Sequence, residues 1–188
     1  LPICPTAPYL NPPPRDYRPG IFKFTSTQQA NKANRSDLKR TVLKGIPGTY
    51  MPSFLLLKDD ELKAIIEYIR WLSIRGEFEK ILVGGLEQEE YTVEKVQKRI
   101  VDGEEETEII QELQDYLAED FIEGFGGING AAVRLEEEWN FAEDPVNIVL
   151  PHTKRPPATP ESIARGRALF LSAQAQCALC HGATGKGD

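Results

Sequence analysis

The pentapeptide Cys177-Ala178-Leu179-Cys180-His181 near the end of the sequence limits the fold of this chain more than any other feature. Two cysteines three positions apart, with a histidine directly after the second, form the pattern that attaches a haem covalently. The adjacent histidine is then placed to bind the iron as an axial ligand. The sequence therefore predicts a chain that folds around covalently bound haem c and performs redox chemistry with it.

Two other uses of the same residues stay open. The run also fits half of a zinc site, but zinc takes about four nitrogen or sulfur ligands. Besides the motif, the sequence offers only Cys4 and His152. A thioredoxin-like redox pair has the same cysteine spacing, but no pattern of a strand followed by a helix precedes Cys177. The supply of ligands favours haem.

The residues around the motif agree with haem attachment. Before it, residues 160–170 predict a short helix with Thr159 as the N-cap and Pro160 at the first helical position. After it, residues 182–188 contain three glycines and few bulky side chains. We expect this glycine-rich loop to pass close to a flat macrocycle.

This part of the chain resembles the N-terminal third of a class I cytochrome c domain. The resemblance rests on the helix, the attachment motif and a His-Gly-x-x-Gly-x-Gly-Asp run, and the matching residues are Gly166, Leu169, Phe170, Cys177, Cys180 and 181–188. The spacer of six residues between Phe170 and Cys177 is longer than is usual in that family. The resemblance implies that Cys177 and Cys180 form the haem thioethers and that His181 is the proximal iron ligand.

The first part of the chain is similar to the C-terminal part of the same fold. A proline-rich stretch over residues 11–17 leads to a predicted helix over 36–44 and then to the loop Gly45-Ile46-Pro47-Gly48-Thr49-Tyr50-Met51-Pro52-Ser53-Phe54. In the family, a methionine in such a loop is the distal iron ligand, and a thioether opposite a histidine raises the haem potential. The resemblance implies this role for Met51 on a first haem. Packing of this sole methionine in the core is the alternative.

Together, the two resemblances imply part of a tandem dihaem cytochrome. Residues 1–77 would be the methionine-bearing part of one domain, residues 158–188 the haem-attaching part of the next, and residues 78–157 a helical connector. The missing halves would precede Leu1 and follow Asp188. The two parts could also fold onto each other as one permuted unit with Met51 opposite His181, because circular permutation is tolerated in exposed loops.

The first part ends with a predicted helix over residues 60–73, which Gly76 ends at a C-cap position. Its apolar side chains recur at helical spacing, and they are Leu62, Ile65, Ile66, Ile69 and Leu72. Tyr68 and Trp71 are predicted to pack rather than to relay electrons.

Three more helices are predicted in the connector, over residues 92–101, 107–123 and 131–141, the first two with threonine N-caps. Residues 145–160 predict an extended, proline-rich linker. His152 in this linker could serve as a spare haem ligand. A solvated side chain is favoured, because the neighbouring residues build no apolar wall.

The pattern as a whole predicts an all-α, cytochrome c-like protein. No apolar run reaches the roughly 18 residues that predict a membrane span. The net charge of -7 argues against nucleic acid as a partner, because phosphates attract a basic face. A cationic redox protein is a better match.

The resemblance also implies a location outside the cytoplasm. Haem attachment in this family takes place beyond the cytoplasmic membrane, so we expect a periplasmic or otherwise exported protein, although no signal peptide is visible after Leu1. Cys4 is expected to be a free, partly buried thiol, because its only partners for a disulfide would be the two haem thiols.

Four further residues are weaker candidates for the haem surroundings. Pro8 and Leu10 would line the haem, because in the family a proline carbonyl accepts a hydrogen bond from the proximal histidine. Arg15 and Arg18 would neutralise haem propionates. The alternative is that both are ordinary surface arginines without a haem role.

We therefore expect an electron carrier, not a catalyst, that relays single electrons between redox proteins. Two alternatives stay open: a catalytic dihaem enzyme, such as a peroxidase with one open iron position, and a haem module fused to a dehydrogenase or oxidase subunit. A methionine or histidine on both irons favours the carrier.

Overall fold

The computed structural model describes residues 6–28, 31–124, 130–151 and 153–187. The chain divides into two compact units, Leu1–Val149 and Leu150–Asp188. The first unit contains α1 (Arg35–Lys44), α2 (Asp59–Gln88), α3 (Val93–Val101), α4 (Glu106–Tyr116), a π-helical segment (Leu117–Glu123) and α5 (Ala131–Phe141), with 3₁₀ turns at Ala7–Tyr9 and Pro145–Asn147. The second contains α6 (Pro160–Leu171) and α7 (Cys177–His181).

Helices account for the regular structure of these ranges, apart from one antiparallel bridge between Thr27 and Ile148. The all-α fold class is thus confirmed. Within the same ranges, no helix is both long and apolar enough to cross a membrane.

The long helix α2 differs from its prediction. The helix expected over 60–73, with its end at Gly76, continues from Asp59 to Gln88. Gly76 stays helical, and a Cβ added to it would lie 2.5 Å from Arg18 Cβ. This glycine therefore permits the N-terminal segment to approach the helix closely, and it is not a helix end. The predicted boundary after residue 77 lies inside α2, and the division into cytochrome parts stays a prediction.

The first half of α2 forms a small apolar core with α1. The buried side chains of this core are Ala33, Leu38, Val42, Leu62, Ile66 and Ile69. Asn34 caps α1, because its side chain accepts a hydrogen bond from the N–H of Asp37. The predicted helix over 36–44 is confirmed within one residue.

Tyr68 and Trp71, predicted to pack, pack on each other at the surface of α2. Their rings stack on each other with centroids 5.7 Å apart, but the two residues are 59% and 49% exposed. At 100° per residue, both lie on the side of α2 away from Leu62 and Ile66. The guanidinium of Arg75 covers the Trp71 ring at 5.4 Å.

The helices after α2 follow the predictions more closely. Thr92 caps α3, as predicted, by accepting a hydrogen bond from the N–H of Lys95. The predicted cap at Thr107 is wrong, because α4 begins one residue earlier with Glu105 as its N-cap. After Tyr116 the helix widens into the π-helical segment, which buries Phe121.

Helix α5 covers the predicted residues 131–141 and carries the fully buried Trp139. The indole N–H of Trp139 donates to Glu77 Oε2 at 2.8 Å, and the ammonium of Lys32 pairs with the same carboxylate. The Arg70 guanidinium lies 5.4 Å from the indole ring and pairs with Glu143. Each of these enclosed charges has a partner of opposite sign, which offsets its loss of hydration.

The predicted linker over 145–160 begins later than expected. Residues 145–147 form a 3₁₀ turn, and Ile148 bridges to Thr27, so this stretch is part of the first unit. The predicted helix after the linker is confirmed: α6 begins at Pro160, and the Thr159 side chain accepts a hydrogen bond from the N–H of Ser162.

Two adjacent glycines of α2 give a matched test of the packing around α4. A Cβ at Gly85 would lie 2.6 Å from the Tyr116 hydroxyl and 2.9 Å from the Phe121 ring, whereas Gly84 has no atom within 4 Å of its Cβ position. Gly84→Ala should raise the free energy of unfolding by about 1 kcal/mol, because alanine favours helix. Gly85→Ala should lower it by about 1–3 kcal/mol through overpacking.

Urea unfolding followed by circular dichroism measures both variants. Equal stabilisation by the two substitutions would contradict the contact between Tyr116 and α2.

Candidate functional site

The Cys-x-x-Cys-His motif forms a separate short helix, α7, after a tight turn. The Ser172 hydroxyl donates to the carbonyl of Leu169 at 2.8 Å and accepts from the N–H of Ala175 at 3.3 Å, which ends α6. Gln176 then takes a left-handed conformation with φ of 54°, uncommon for a residue other than glycine. The six-residue spacer therefore builds a turn that starts α7 at Cys177.

The two thiols of α7 lie one helical turn apart. Residues at i and i+3 share a face of a helix, so Cys177 and Cys180 point to the same side. Both thiols are free; Cys177 is half-buried, with its sulfur 3.6 Å from the carbonyl oxygen of Ala175, and Cys180 is exposed. This arrangement presents two accessible sulfurs to one neighbouring group.

His181 is the last residue of α7, and the backbone is held on both sides of it. Gly182, with φ of 70°, ends the helix and donates its N–H to the carbonyl of Ala178 at 3.0 Å. The N–H of Gly187 donates to the His181 carbonyl at 2.9 Å, which folds the glycine-rich loop back. The imidazole lies 6.5 Å from the Phe170 ring, at an angle of 38°. α6 therefore helps to position the histidine.

The second unit exposes apolar side chains without enclosing any. None of the hydrophobic residues described in it is buried, and its large exposed ones include Ile163, Leu169, Leu171 and Leu179. Apolar surface in water is unfavourable, so this unit needs a cover. Two free thiols, an imidazole and an apolar surround fit the attachment and covering of a haem.

Zinc, the alternative to haem, finds no support in the arrangement of ligands. Across the described ranges, no group of three or more His, Cys, Asp or Glu side chains could hold a metal ion. The motif alone does not supply the roughly four ligands that structural zinc takes.

Met51 lies in a loop whose backbone is held by hydrogen bonds. The N–H of Ile46 donates to the Met51 carbonyl at 3.1 Å, and the Met51 N–H donates to the Thr49 hydroxyl at 3.1 Å. The Ser53 hydroxyl donates to the carbonyl of Leu43 at 2.6 Å, which ties the end of the loop to α1. These bonds fix the position from which the methionine side chain extends.

Sequence reasoning missed the role of Gly45 in this loop. Gly45 has φ of 64°, and a Cβ there would lie 2.6 Å from the Met51 carbonyl oxygen and 2.5 Å from the carbonyl carbon of Pro52. Both the conformation and the close approach require glycine. A glycine directly after a predicted helix was the signal for this position.

The Met51 side chain is half-buried. It packs against the core of α1 and α2 together with Tyr17, Phe22, Leu43 and Leu57. A half-buried methionine is compatible both with a role as iron ligand and with a role as packing residue. The role of Met51 as an iron ligand therefore stays a prediction.

The first two candidates for the haem lining lie in the N-terminal segment of the first unit. Pro8 is exposed within the 3₁₀ turn, and Leu10 after it is half-buried. Their part in a haem pocket stays a prediction.

The two arginine candidates differ in their partners. Arg18 donates through Nε and Nη2 to the Asp16 carboxylate at 3.0 and 2.7 Å, and these bonds lower the pKa of Asp16. Arg15 forms no ion pair with a described residue, and its Nη1 donates to the carbonyl of Ile21 at 3.4 Å. Arg15 is therefore the better candidate for an anionic group.

The remaining candidates are divided between the units or fall outside the described ranges. The first unit contains five of the candidates: Met51, Pro8, Leu10, Arg15 and Arg18. The helix α7 brings together the three residues of the motif in the second unit. Cys4 and His152 lie outside the described residues. A common haem site for Met51 and His181 stays a prediction.

No protein-family model and no curated protein matches the chain. Among solved structures, the chain is similar to a chain of the Kuenenia stuttgartiensis reducing HAO-like protein complex Kustc0457/Kustc0458. The TM-score is 0.52 and the sequence identity is 15%, over 98% of this chain and 54% of that one. The chain thus spans about half the length of its structural relative. At this identity, the likeness concerns the fold alone.

Two glycines of the Met51 loop allow a test of how the methionine is positioned. Gly45→Ala should displace the Met51 backbone and lower the free energy of unfolding by about 2–3 kcal/mol, because strain at positive φ adds to a clash. Gly48 has φ of 81°, but a Cβ added to it would have no atom within 4 Å. Gly48→Ala should therefore lower the free energy of unfolding by about 1 kcal/mol, from backbone strain alone.

The chain contains a single methionine, so ¹³C-methyl labelling gives one methionine signal that reports on the loop. Gly45→Ala should shift that signal and Gly48→Ala should leave it near its place. An unshifted signal in Gly45→Ala would contradict the positioning role of Gly45.

Proposed function

We propose that this chain carries haem c on Cys177 and Cys180 and relays single electrons between redox proteins. The observation that carries this proposal is the construction of α7, which presents two free thiols one turn apart and ends on a histidine. The solved complex with a similar fold is described as reducing, and a redox role for this chain agrees with that description.

In the proposed site, Cys177 and Cys180 would hold the haem through thioether bonds, and His181 would supply a nitrogen ligand to its iron. The bound haem supplies an iron that gains and loses one electron. The hydrogen bond from Gly187 fixes the backbone of His181, and the ring of Phe170 restricts the imidazole. The exposed apolar side chains of the unit exclude water from the macrocycle.

Met51 is proposed as the distal ligand of a first haem in a tandem arrangement of class I cytochrome c domains. Its loop is already ordered by hydrogen bonds to Ile46 and Thr49, so little conformational freedom is lost when the thioether binds. A thioether opposite a histidine raises the haem potential. A methionine on the first iron would exclude substrate from that iron, and a methionine or histidine on the second iron as well would favour an electron carrier over a peroxidase-like enzyme.

The proposal includes a place and a kind of partner. Covalent attachment in the cytochrome c family occurs outside the cytoplasmic membrane, so we propose a periplasmic or otherwise exported location. The partners would be redox proteins, with cationic ones favoured by the net charge of -7.

Removal of the two motif cysteines tests the attachment. Expressed with a cytochrome c maturation system, the wild-type chain should retain haem on a denaturing gel stained for haem peroxidase activity. The Cys177→Ala, Cys180→Ala double variant should retain none, because no thioether can form. Cys4→Ala is the matched control and should keep full staining. Staining that survives in the double variant would place the haem elsewhere.

Substitution of Met51 tests its role as an iron ligand in the complete tandem dihaem protein that the proposal implies. Met51→Ala should abolish the weak far-red absorption of a methionine bound to ferric iron and lower the potential of that haem, because the thioether favours the ferrous state. Leu57→Ala removes another side chain packed on the same core and should leave the absorption unchanged. If Met51→Ala alters only stability, the methionine is a packing residue.

A further inference from the structure

Gln176, the residue directly before the attachment motif, has a backbone conformation that its residue type does not favour. Its φ is 54° and its ψ is 18°, in the left-handed region. Glycine and asparagine adopt this region readily, whereas the Cβ of most other residues comes too close to the following carbonyl oxygen. Gln176 is also the N-cap of α7, but its exposed side chain makes no capping hydrogen bond. The side chain therefore does not account for the conformation, and the surrounding backbone must hold it.

Two backbone hydrogen bonds hold Gln176 in place. Its N–H donates to the carbonyl of Ser172 at 3.0 Å, which closes the turn after α6. Its carbonyl accepts from the N–H of Leu179 at 3.1 Å, within the first turn of α7. Ser172 is itself fixed, because its hydroxyl bonds to Leu169 and Ala175. Both peptide groups of Gln176 are thus engaged, and its φ and ψ set the direction in which α7 leaves the turn.

The direction of α7 decides where the attachment motif faces. The thiols of Cys177 and Cys180 lie on a common side of this short helix. The imidazole of His181 at its end lies 6.5 Å from the Phe170 ring of α6. A right-handed conformation at Gln176 would rotate the two thiols and the imidazole together relative to α6. The contact between the imidazole and the Phe170 ring would then be lost.

We propose that Gln176 is a positioning residue for haem attachment, because its left-handed backbone turns α7 so that both thiols and the imidazole face one haem together. The inference rests on the proposed attachment of haem c and adds the device that presents the motif. Each thioether forms when a thiol S–H adds across a vinyl C=C bond: the sulfur bonds to one carbon, the hydrogen to the other, and no electron is lost. Both additions and the bond to iron require one orientation of α7, and an orientation fixed beforehand reduces the conformational freedom lost on attachment.

Substitutions at Gln176 separate the effect of the backbone from that of the side chain. The measurement is the fraction of chains that carry haem shortly after induction with a cytochrome c maturation system, as haem stain relative to an immunoblot of the same band. Gln176→Gly and Gln176→Asn favour the left-handed region and should attach haem at least as fast as the wild type. Gln176→Val should lower the fraction at least about fivefold, because a β-branched residue is strongly disfavoured there.

Gln174→Val is the matched control. It makes the same change of side chain at another exposed residue of the spacer, where φ is not positive. This variant should attach haem like the wild type. A loss in Gln174→Val equal to that in Gln176→Val, or a failure of Gln176→Gly to attach haem, would overturn the proposal.

The conformation of α7 is measured without haem. In a Cys4→Ala background, ¹³C-labelled cysteine gives two signals, both from α7. Their ¹³Cα shifts should be helical in the reduced, haem-free chain and in its Gln176→Gly and Gln176→Asn variants. In Gln176→Val they should move toward random-coil values. Shifts that are the same in Gln176→Val and in the parent would show that Gln176 does not hold α7.

The two measurements distinguish failure of the inference from failure of the proposed function. Absence of haem on the wild-type chain would overturn the proposed function and the inference with it. A wild type that attaches haem, with attachment unchanged in Gln176→Val, would overturn the inference alone.

Discussion

The first unit depends on the way in which the charged side chains around the buried Trp139 are paired. The indole N–H bonds to Glu77, the carboxylate of Glu77 also binds Lys32, and the Arg70 guanidinium lies over the ring and pairs with Glu143. Arg70 is buried, and its pairs with Glu143 and with the more distant Glu67 offset its loss of hydration. This pairing joins α5 and the segment before α1 to the middle of α2.

The position of the Met51 loop follows from this arrangement. With α2 fixed at its centre, its first half can bury Leu62 and Ile66 against α1, and the loop between the two helices is then closed over a short distance. Gly45 permits that closure because its backbone has a positive φ and passes against the Met51 carbonyl. The methionine is therefore held by packing that begins far from it in sequence.

Local sequence predicted the parts of the fold that depend on neighbouring residues. The caps at Thr92 and Thr159 and the limits of α5 are confirmed, since capping and helical periodicity act within a few residues. Gly76 did not end its helix, which continues to Gln88. That prediction required knowledge of which segment approaches which face of α2, and this is a property of the tertiary structure.

By itself, the sequence determined the chemistry of the candidate site: two thiols at a spacing of three, an adjacent histidine, and a helix before them that begins at Thr159. These features depend only on residue type and local spacing. The tertiary structure decided the left-handed turn at Gln176, the contact of Phe170 with His181 and the fixed loop of Met51. The bonds that form these features join residues a few positions apart, but a strained backbone such as that of Gln176 persists only where the surrounding structure holds it.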